Sequence, residues 1–399
     1  MLDTALEADG IGPSAFSEAL AADWAARRSE IAEQLQGASV LVVGAAGTIG
    51  AATVRQLLPF RPARMELVDI DENGLARLAR DIRSRGEEAA IGFNALDFAG
   101  SPGLLLAGAA GPFDLVANFA AVKHVRSEKN LFTLLHMIDV NVVRQQRFAA
   151  FLAANGLARR HFVVSTDKAA DPASFMGATK ALLEAAVFAE SEPGPRACAA
   201  RFANVAYSSG SLLESYLQRF AAGQALAAPR DTRRYFISAR DAARICLLAQ
   251  LACPAGRVAV PKFETASDAV ELADTAAAFL RARGRQAVFV DTAEEAAALA
   301  SHPGPDYPVL LTPRDTAGEK DIEVFRGAGE TTEPLGLTAL EAVTPAPIDR
   351  AALQAALTEL AALVSGKRAA SPAQIEAAIG RVLPSFRHIA AEARLDDRI

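Results

Sequence analysis

Four consecutive residues, Ser165-Thr166-Asp167-Lys168, set hydroxyls, a carboxylate and an amine side by side. They close an apolar run, His161 to Ser165, of the kind that a parallel sheet buries on both faces. Open parallel sheets take their ligands at the C-terminal ends of their strands. There Asp167 and Lys168 supply an acid and a base to a bound molecule; on a solvated surface the same pair would be an ion pair of little worth. Met176 and Lys180 follow, four apart, on a helix expected over 173–189 with Pro172 at its start. That spacing puts both on one helix face.

The second constellation is Gly44-Ala45-Ala46-Gly47-Thr48-Ile49-Gly50, directly after the apolar run Val40 to Val43 and before a helical pattern over 51–58. Glycines at this spacing let the backbone turn tightly and approach a pyrophosphate resting on the helix N-terminus. Asp69 ends the next apolar run, where a carboxylate accepts hydrogen bonds from adenosine ribose hydroxyls. Its charge would repel a 2′-phosphate, so NAD is expected over NADP. Asp97, after the third strand, is a candidate for the adenine amine, the other reading being a solvated loop carboxylate. Asn118 ends the fourth strand, where the chain passes under the cofactor.

These residues need a scaffold that brings strand ends together. Apolar runs at 40–43, 65–69, 114–118 and 161–165 alternate with helical segments at 72–85, 131–155 and 173–189. Alternation of this kind predicts an α/β fold, a Rossmann-type doubly wound parallel sheet. The expected division is a helical N-terminal extension over 1–37, a dinucleotide-binding domain over 38–205 to which 236–253 return, a smaller α/β substrate-binding part (206–235 and 254–330), and a helical C-terminal extension over 331–399. The N-terminal extension has an amphipathic helix, 14–36, with Phe16, Leu20, Trp24, Ile31 and Leu35 as its apolar set.

Composition narrows the function. At 399 residues, 51% hydrophobic and 22% charged, the chain has ample material for a core and is not disordered. A net charge of -6 gives no electrostatic footprint for nucleic acid. Three cysteines form no disulfide framework and fit a reducing cytosol, and the five histidines lack metal-ligand spacing, so no metal is expected. The acidic start has no apolar h-region, and Gly103 to Val122, the most apolar stretch, is broken by Gly111, Pro112 and Asp114. A cytoplasmic chain without a membrane span is expected.

Six motifs in order carry a resemblance: Gly44 to Gly50, Ala121 to Lys129, Ser165 to Pro172, Met176 to Lys180, Arg201 to Val205, and Gly318-Glu319-Lys320. Over residues 38–327 the sequence resembles the CapD-like polysaccharide-biosynthesis nucleotide-sugar 4,6-dehydratases, which are extended short-chain dehydrogenases. It looks closest to the soluble dehydratases acting on nucleotide-linked N-acetylglucosamine in legionaminic acid pathways. The resemblance implies bound NAD, a nucleotide-sugar substrate and a homo-oligomer. It makes Lys168 the base at C5 of the hexose and Asp167 the acid at the departing C6 hydroxyl. Thr166 then bonds the C4 oxygen and Lys180 the nicotinamide ribose. To act near neutral pH, Lys168 needs a pKa depressed by burial or by a cation, with Lys180 and Lys123 as candidates. Met176 stands where the usual short-chain dehydrogenase has a tyrosine, a change shared by one branch of the family. A thioether cannot exchange a proton. By the same resemblance Lys123 and His124 line the sugar pocket, and Asn204, Ser209 and Ser211 approach the diphosphate and nucleoside. Arg234 pairs with phosphate and Glu319 holds a ribose hydroxyl. Thr316 replaces an arginine of many relatives, which leaves uridine or guanosine open. A C4 epimerase or reductase on the same fold is the first alternative. A non-catalytic NAD-binding regulator, supported by Met176, is the second.

Overall fold

The computed structural model describes residues 14–86, 90–191, 194–263, 268–301, 304–313, 320 and 322–388. Six strands follow the alternation: β1 (Ser39–Val43), β2 (Arg64–Asp69), β3 (Ala90–Ala95), β4 (Phe113–Asn118), β5 (Ala158–Val164) and β6 (Arg196–Ala200). They run parallel in the order 3-2-1-4-5-6. Strand order reverses between β1 and β4, which opens a crevice at their C-terminal ends. Successive side chains on a strand point to opposite faces. Val40 and Val42 accordingly join one core, with the helices Thr48–Leu57 and Ala239–Ala252, while Leu41 and Val43 join another, with Phe148 and Leu152. Burial on both faces is why β1 reads as an unbroken apolar run.

The main sheet extends further than the sequence pattern indicates. Arg257–Pro261, expected in the substrate-binding part, pairs parallel with β6. Leu340–Thr344 and Thr331–Pro334 then add an antiparallel hairpin and bring the sheet to nine strands. This corrects the expectation of a wholly helical C-terminal extension: Leu340, Ala342 and Val343 are buried against the sheet, and pairing overrides the helical leaning of an Ala-rich segment. The helices Arg350–Val364 and Pro372–Gly380 pack across Leu134, Ile138, Phe175 and Leu182. The N-terminal amphipathic segment is two helices, Ser14–Ala26 and Arg28–Leu35, and all five of its apolar residues are buried. Asp23 fixes it by accepting from the backbone N–H of Thr338 and Ala339.

A smaller layer holds a three-stranded parallel sheet of Gln286–Val290, Asp306–Thr312 and Leu226–Pro229. The helices Leu212–Ala221 and Leu272–Arg281 cover it through Leu213, Tyr216, Phe279 and Leu280. Among the described residues no helix is long and apolar enough to cross a membrane.

Candidate active site

The glycine turn is sterically closed to any side chain. Gly44 has φ +73°, and a Cβ there would lie 2.8 Å from the backbone of Phe119 and Ala120. A Cβ on Gly50 would lie 2.1 Å from the Gly44 carbonyl oxygen, so the Thr48–Leu57 helix packs directly on the turn. Gly47 is the N-cap and has no side chain to satisfy the first N–H groups, which are left for an anion. Thr48 and Ile49 open the helix, both half-buried. Asp69 Oδ2 accepts from Ala46 N at 2.9 Å and Oδ1 from Asp71 N at 2.9 Å, which ties the carboxylate to the turn. Beside it Ile70 is 77% exposed, an apolar surface at the mouth of the crevice.

Asn118 and Asp97, both expected near the cofactor, also make contacts within the protein. Asn118 is buried: its amide donates to Gln145 Oε1 at 2.8 Å and accepts from Ala120 N at 3.0 Å, so it braces the loop after β4. Asp97 pairs with Arg144 at 2.5 Å and accepts from Ala99 N at 3.1 Å. Both side chains brace the ends of their strands at the crevice wall.

Thr166, Asp167 and Lys168 turn at the end of β5. Thr166 Oγ1 donates to Asp167 Oδ1 at 2.7 Å, and Lys168 Nζ lies 3.3 Å from the same oxygen. The ammonium also lies 3.3 Å from Glu323 Oε1. Burial acts to lower the Lys168 pKa, but the Asp167 and Glu323 carboxylates outweigh it and hold it above the ordinary lysine value. The depressed pKa expected for this residue is therefore corrected. The cation that faces it is Arg234, with neither Lys180 nor Lys123 among the charges that act on it. Burial pushes the Glu323 carboxyl up; Lys168 opposes this, Asp167 adds to it and Arg234 opposes it.

The helix behind the turn spans Phe175–Ala189. It starts at Ser174, whose hydroxyl accepts from Gly177 N, and not at Pro172. A Cβ on Gly177 would lie 2.5 Å from the Lys168 carbonyl oxygen, so the helix start and the Thr166–Lys168 turn touch. Met176 is buried, and its N–H donates to Glu128 Oε1 at 2.7 Å. The other Glu128 oxygen faces His388 Nε2 at 3.1 Å. Lys180 is 4% exposed, and its Nζ has no hydrogen-bond partner among the described residues. Burial pushes its ammonium down to about 8, against the pull of Glu184. Beneath the turn, Ser165 donates to Glu184, which with Glu330 encloses Arg201 at 2.6 and 2.7 Å, all three charged groups being buried.

On the opposite wall a π-turn, Asp139–Val143, aims Asn141 at Val122, accepting from its N–H and donating to its carbonyl, both at 2.8 Å. This clamp sets Lys123 and His124. Lys123 Nζ lies 3.5 Å from Ser208 Oγ; burial lowers its pKa and Glu214 opposes this. The His124 ring packs on Gly210, where a Cβ would lie 2.6 Å from Cε1. Ser209 N donates to Thr48 Oγ1 at 3.3 Å, bringing this loop onto the glycine-turn helix. Asn204 donates to the Tyr235 carbonyl at 3.4 Å. Ser211 caps the following helix, accepting from Glu214 N at 3.2 Å, and its hydroxyl proton stays available as a donor. Arg234 is buried, and its Nη1 donates to the carbonyls of Arg233 and Lys320 at 2.7 and 3.0 Å. Glu319, like Thr316, lies outside the described residues.

Glu323, Glu128, Asn141 and the Arg201 cluster escape a reading of the sequence. The available signals were slight: Glu323 stands three residues past Lys320, and Glu128 falls within the 121–129 motif. Nothing in their spacing tells which distant groups they meet.

A family model described as polysaccharide biosynthesis protein matches residues 40–297. The chain is 30% identical over 230 residues to an uncharacterized membrane protein of Methanocaldococcus jannaschii, covering 56% of this chain and 66% of that one. It is 26% identical over 265 residues to the capsular polysaccharide biosynthesis protein CapD of Staphylococcus aureus, covering 64% and 42%. It thus spans less than two thirds of either relative. Similar folds occur in Pen from Bacillus thuringiensis (18% identity, TM-score 0.63, 78% of this chain and 89% of that one). They occur also in a UDP-glucose 4-epimerase of Thermotoga maritima (15%, 0.54, 73% and 90%) and a dTDP-glucose 4,6-dehydratase of Bacillus anthracis (14%, 0.53, 73% and 88%). With the doubly wound sheet in place and the family model spanning most of its length, the chain belongs to the polysaccharide biosynthesis protein family.

Proposed function

We propose that the chain is an NAD-dependent 4,6-dehydratase of a nucleotide-linked N-acetylglucosamine, giving a 4-keto-6-deoxy sugar for surface glycan or nonulosonic acid synthesis. The observation that carries this reading is the Thr166–Asp167–Lys168 cluster at the end of β5, beside the buried, unpartnered Lys180 ammonium. Family membership and a fold shared with a dTDP-glucose 4,6-dehydratase support it. The residues suit NAD: the closed glycine turn admits close backbone approach, Asp69 stands at its edge, and Lys180 lacks an acceptor that a ribose hydroxyl would provide. Bound NAD would take up hydride from C4 and return it at C6.

The chain's own groups handle the protons. Thr166 contacts the C4 oxygen and already bonds Asp167, so the C4 hydroxyl proton passes through Thr166 to the carboxylate. Asp167 delivers it to the C6 hydroxyl, which leaves as water. Lys168 takes the proton from C5 and later delivers one of its solvent-exchanged ammonium protons there. This route needs no phenol, which fits Met176 at the usual tyrosine position. Lys123, His124 and Ser209 face the same crevice and fit the sugar and its diphosphate.

The test is incubation with NAD and either UDP- or GDP-N-acetylglucosamine in heavy water. One of the two should lose a water and gain deuterium at C5, and Lys168→Ala should abolish this. A product isomeric with its substrate would instead identify a C4 epimerase, the chemistry named for the Thermotoga maritima structure. The expected homo-oligomer and cytoplasmic setting belong to this reading; light scattering measures the first.

A further inference from the structure

We propose that Glu323 is the proton partner of Lys168: it receives the lysine's own proton, Nζ to Oε1, so that Lys168 meets the sugar as a free amine. The inference deepens the dehydratase reading and rests on it.

Two carboxylates face the Lys168 ammonium, Asp167 Oδ1 and Glu323 Oε1, each at 3.3 Å. They are not equivalent. Asp167 Oδ1 already accepts from Thr166 Oγ1 at 2.7 Å and from Lys168 N at 2.9 Å. Glu323 Oε1 is buried and has no hydrogen-bond donor among the described residues besides the ammonium it faces. Of the two, Asp167 Oδ1 has its acceptor capacity taken up by three donors, Lys168 Nζ among them, while Glu323 Oε1 stands as close to Nζ with no hydrogen-bond donor competing for it among the described residues. The other charges around the pair are also placed. Arg234 acts on both groups from the Arg233–Arg234 strand, and Asp167 acts on both from the turn. Lys320 is drawn away to Asp171, with Nζ 2.6 Å from its carbonyl oxygen and 2.5 Å from its carboxylate. The Phe175–Ala189 helix, which touches the Lys168 backbone, contributes Lys180 and Glu184, which act on each other.

Transfer within the pair turns an ammonium and a carboxylate into an amine and a carboxylic acid, with no net charge created in a buried site. The amine then takes the C5 proton, becoming ammonium, and delivers one of its three equivalent, solvent-exchanged protons to C5 once C6 is reduced. Glu323 keeps the first proton throughout, so the balance closes without an outside acid or base. Burial favours the protonated carboxyl, in keeping with this role. The arrangement also explains how a lysine held above its ordinary pKa can serve as a base: its proton passes to an oxygen 3.3 Å from Nζ and does not go to water.

The test compares kcat/KM from pH 6 to pH 10 for the full chain and for Glu323→Gln and Glu323→Asp. The parent should be flat around neutral pH, because the neutral pair exists across that range. Glu323→Gln should lose roughly 10²-fold at pH 7 and recover about tenfold per pH unit, since Lys168 must then release its proton to solvent. Glu323→Asp should regain part of the neutral plateau. A Gln variant that keeps the parent profile, or that falls equally at every pH as a packing defect would, overturns the proposal. Competitive acetylation of Lys168 with acetic anhydride, read by peptide mass spectrometry, needs no turnover. Its pH midpoint should move down in Glu323→Gln, and an unmoved midpoint overturns the pairing. A parent that converts neither sugar while the midpoint still moves rejects the dehydratase reading and retains the pairing.

Discussion

Lys180 links stability to function in a way that can be measured without substrate. Its ammonium is buried without a hydrogen-bond partner among the described residues, and burial lowers its pKa from the ordinary 10.5 to about 8. At 1.36 kcal/mol per pKa unit, holding that charge costs the fold about 3 kcal/mol at pH 7. The direction with pH follows. Between the folded and unfolded values the unfolded chain binds more protons, so stability rises with pH across that window. The cost is full below pH 8, falls to about 1.4 kcal/mol by pH 9.5 and is gone above the unfolded value. Lys180→Met keeps the unbranched stem and removes the charge. Urea unfolding of cofactor-stripped protein should find this variant more stable by up to about 3 kcal/mol at pH 7, with the gain halved or better by pH 9.5. Saturating NAD should then raise the melting temperature of the parent by more than that of the variant, which keeps the glycine turn and Asp69. A Met variant no more stable than the parent at pH 7, or a gain independent of pH, would refute the account of a strained ammonium awaiting its acceptor.

Gly50→Ala would drive a Cβ to 2.1 Å from the Gly44 carbonyl, a backbone atom with no freedom to retreat. It should destabilise the fold by about 1–3 kcal/mol and abolish NAD binding, measured by denaturation and calorimetry. Arg201→Met leaves Glu184 and Glu330 buried without their cation and should cost about 3–5 kcal/mol in urea unfolding. Replacing all three with apolar residues should recover most of that loss, and failure to do so would show that the cluster does more than satisfy itself. Asp69→Asn keeps an acceptor for Ala46 N but loses the charge; NAD affinity should fall about tenfold while NADP affinity rises, as read by fluorescence titration.

The elements that position the site were legible wherever the signal was local. Val40 to Val43 announces a strand buried on both faces because every one of its side chains must be apolar. Within 236–253, the segment expected to return to the dinucleotide-binding domain, the helix Ala239–Ala252 forms where apolar periodicity and the Ser238 cap agree. Glycine spacing marks the turn because no side chain fits there, whatever the rest of the fold does. The segments after residue 254 were harder to place, since a short apolar strand carries no mark of its neighbour. Arg257–Pro261 could have joined either sheet, and pairing with β6 decided it.

The candidate site divides along the same line. Sequence alone determined which chemical groups the chain owns and that Thr166, Asp167 and Lys168 sit together, since covalent neighbours cannot separate. Tertiary structure decided what surrounds them. It turned Arg234 inward to backbone carbonyls, left Lys180 without a partner, and set Glu323 against Lys168. Even the direction of the Lys168 pKa was decided there. Burial and charge act through space and change over a few ångströms, and no spacing along the chain encodes which remote carboxylate will arrive at 3.3 Å.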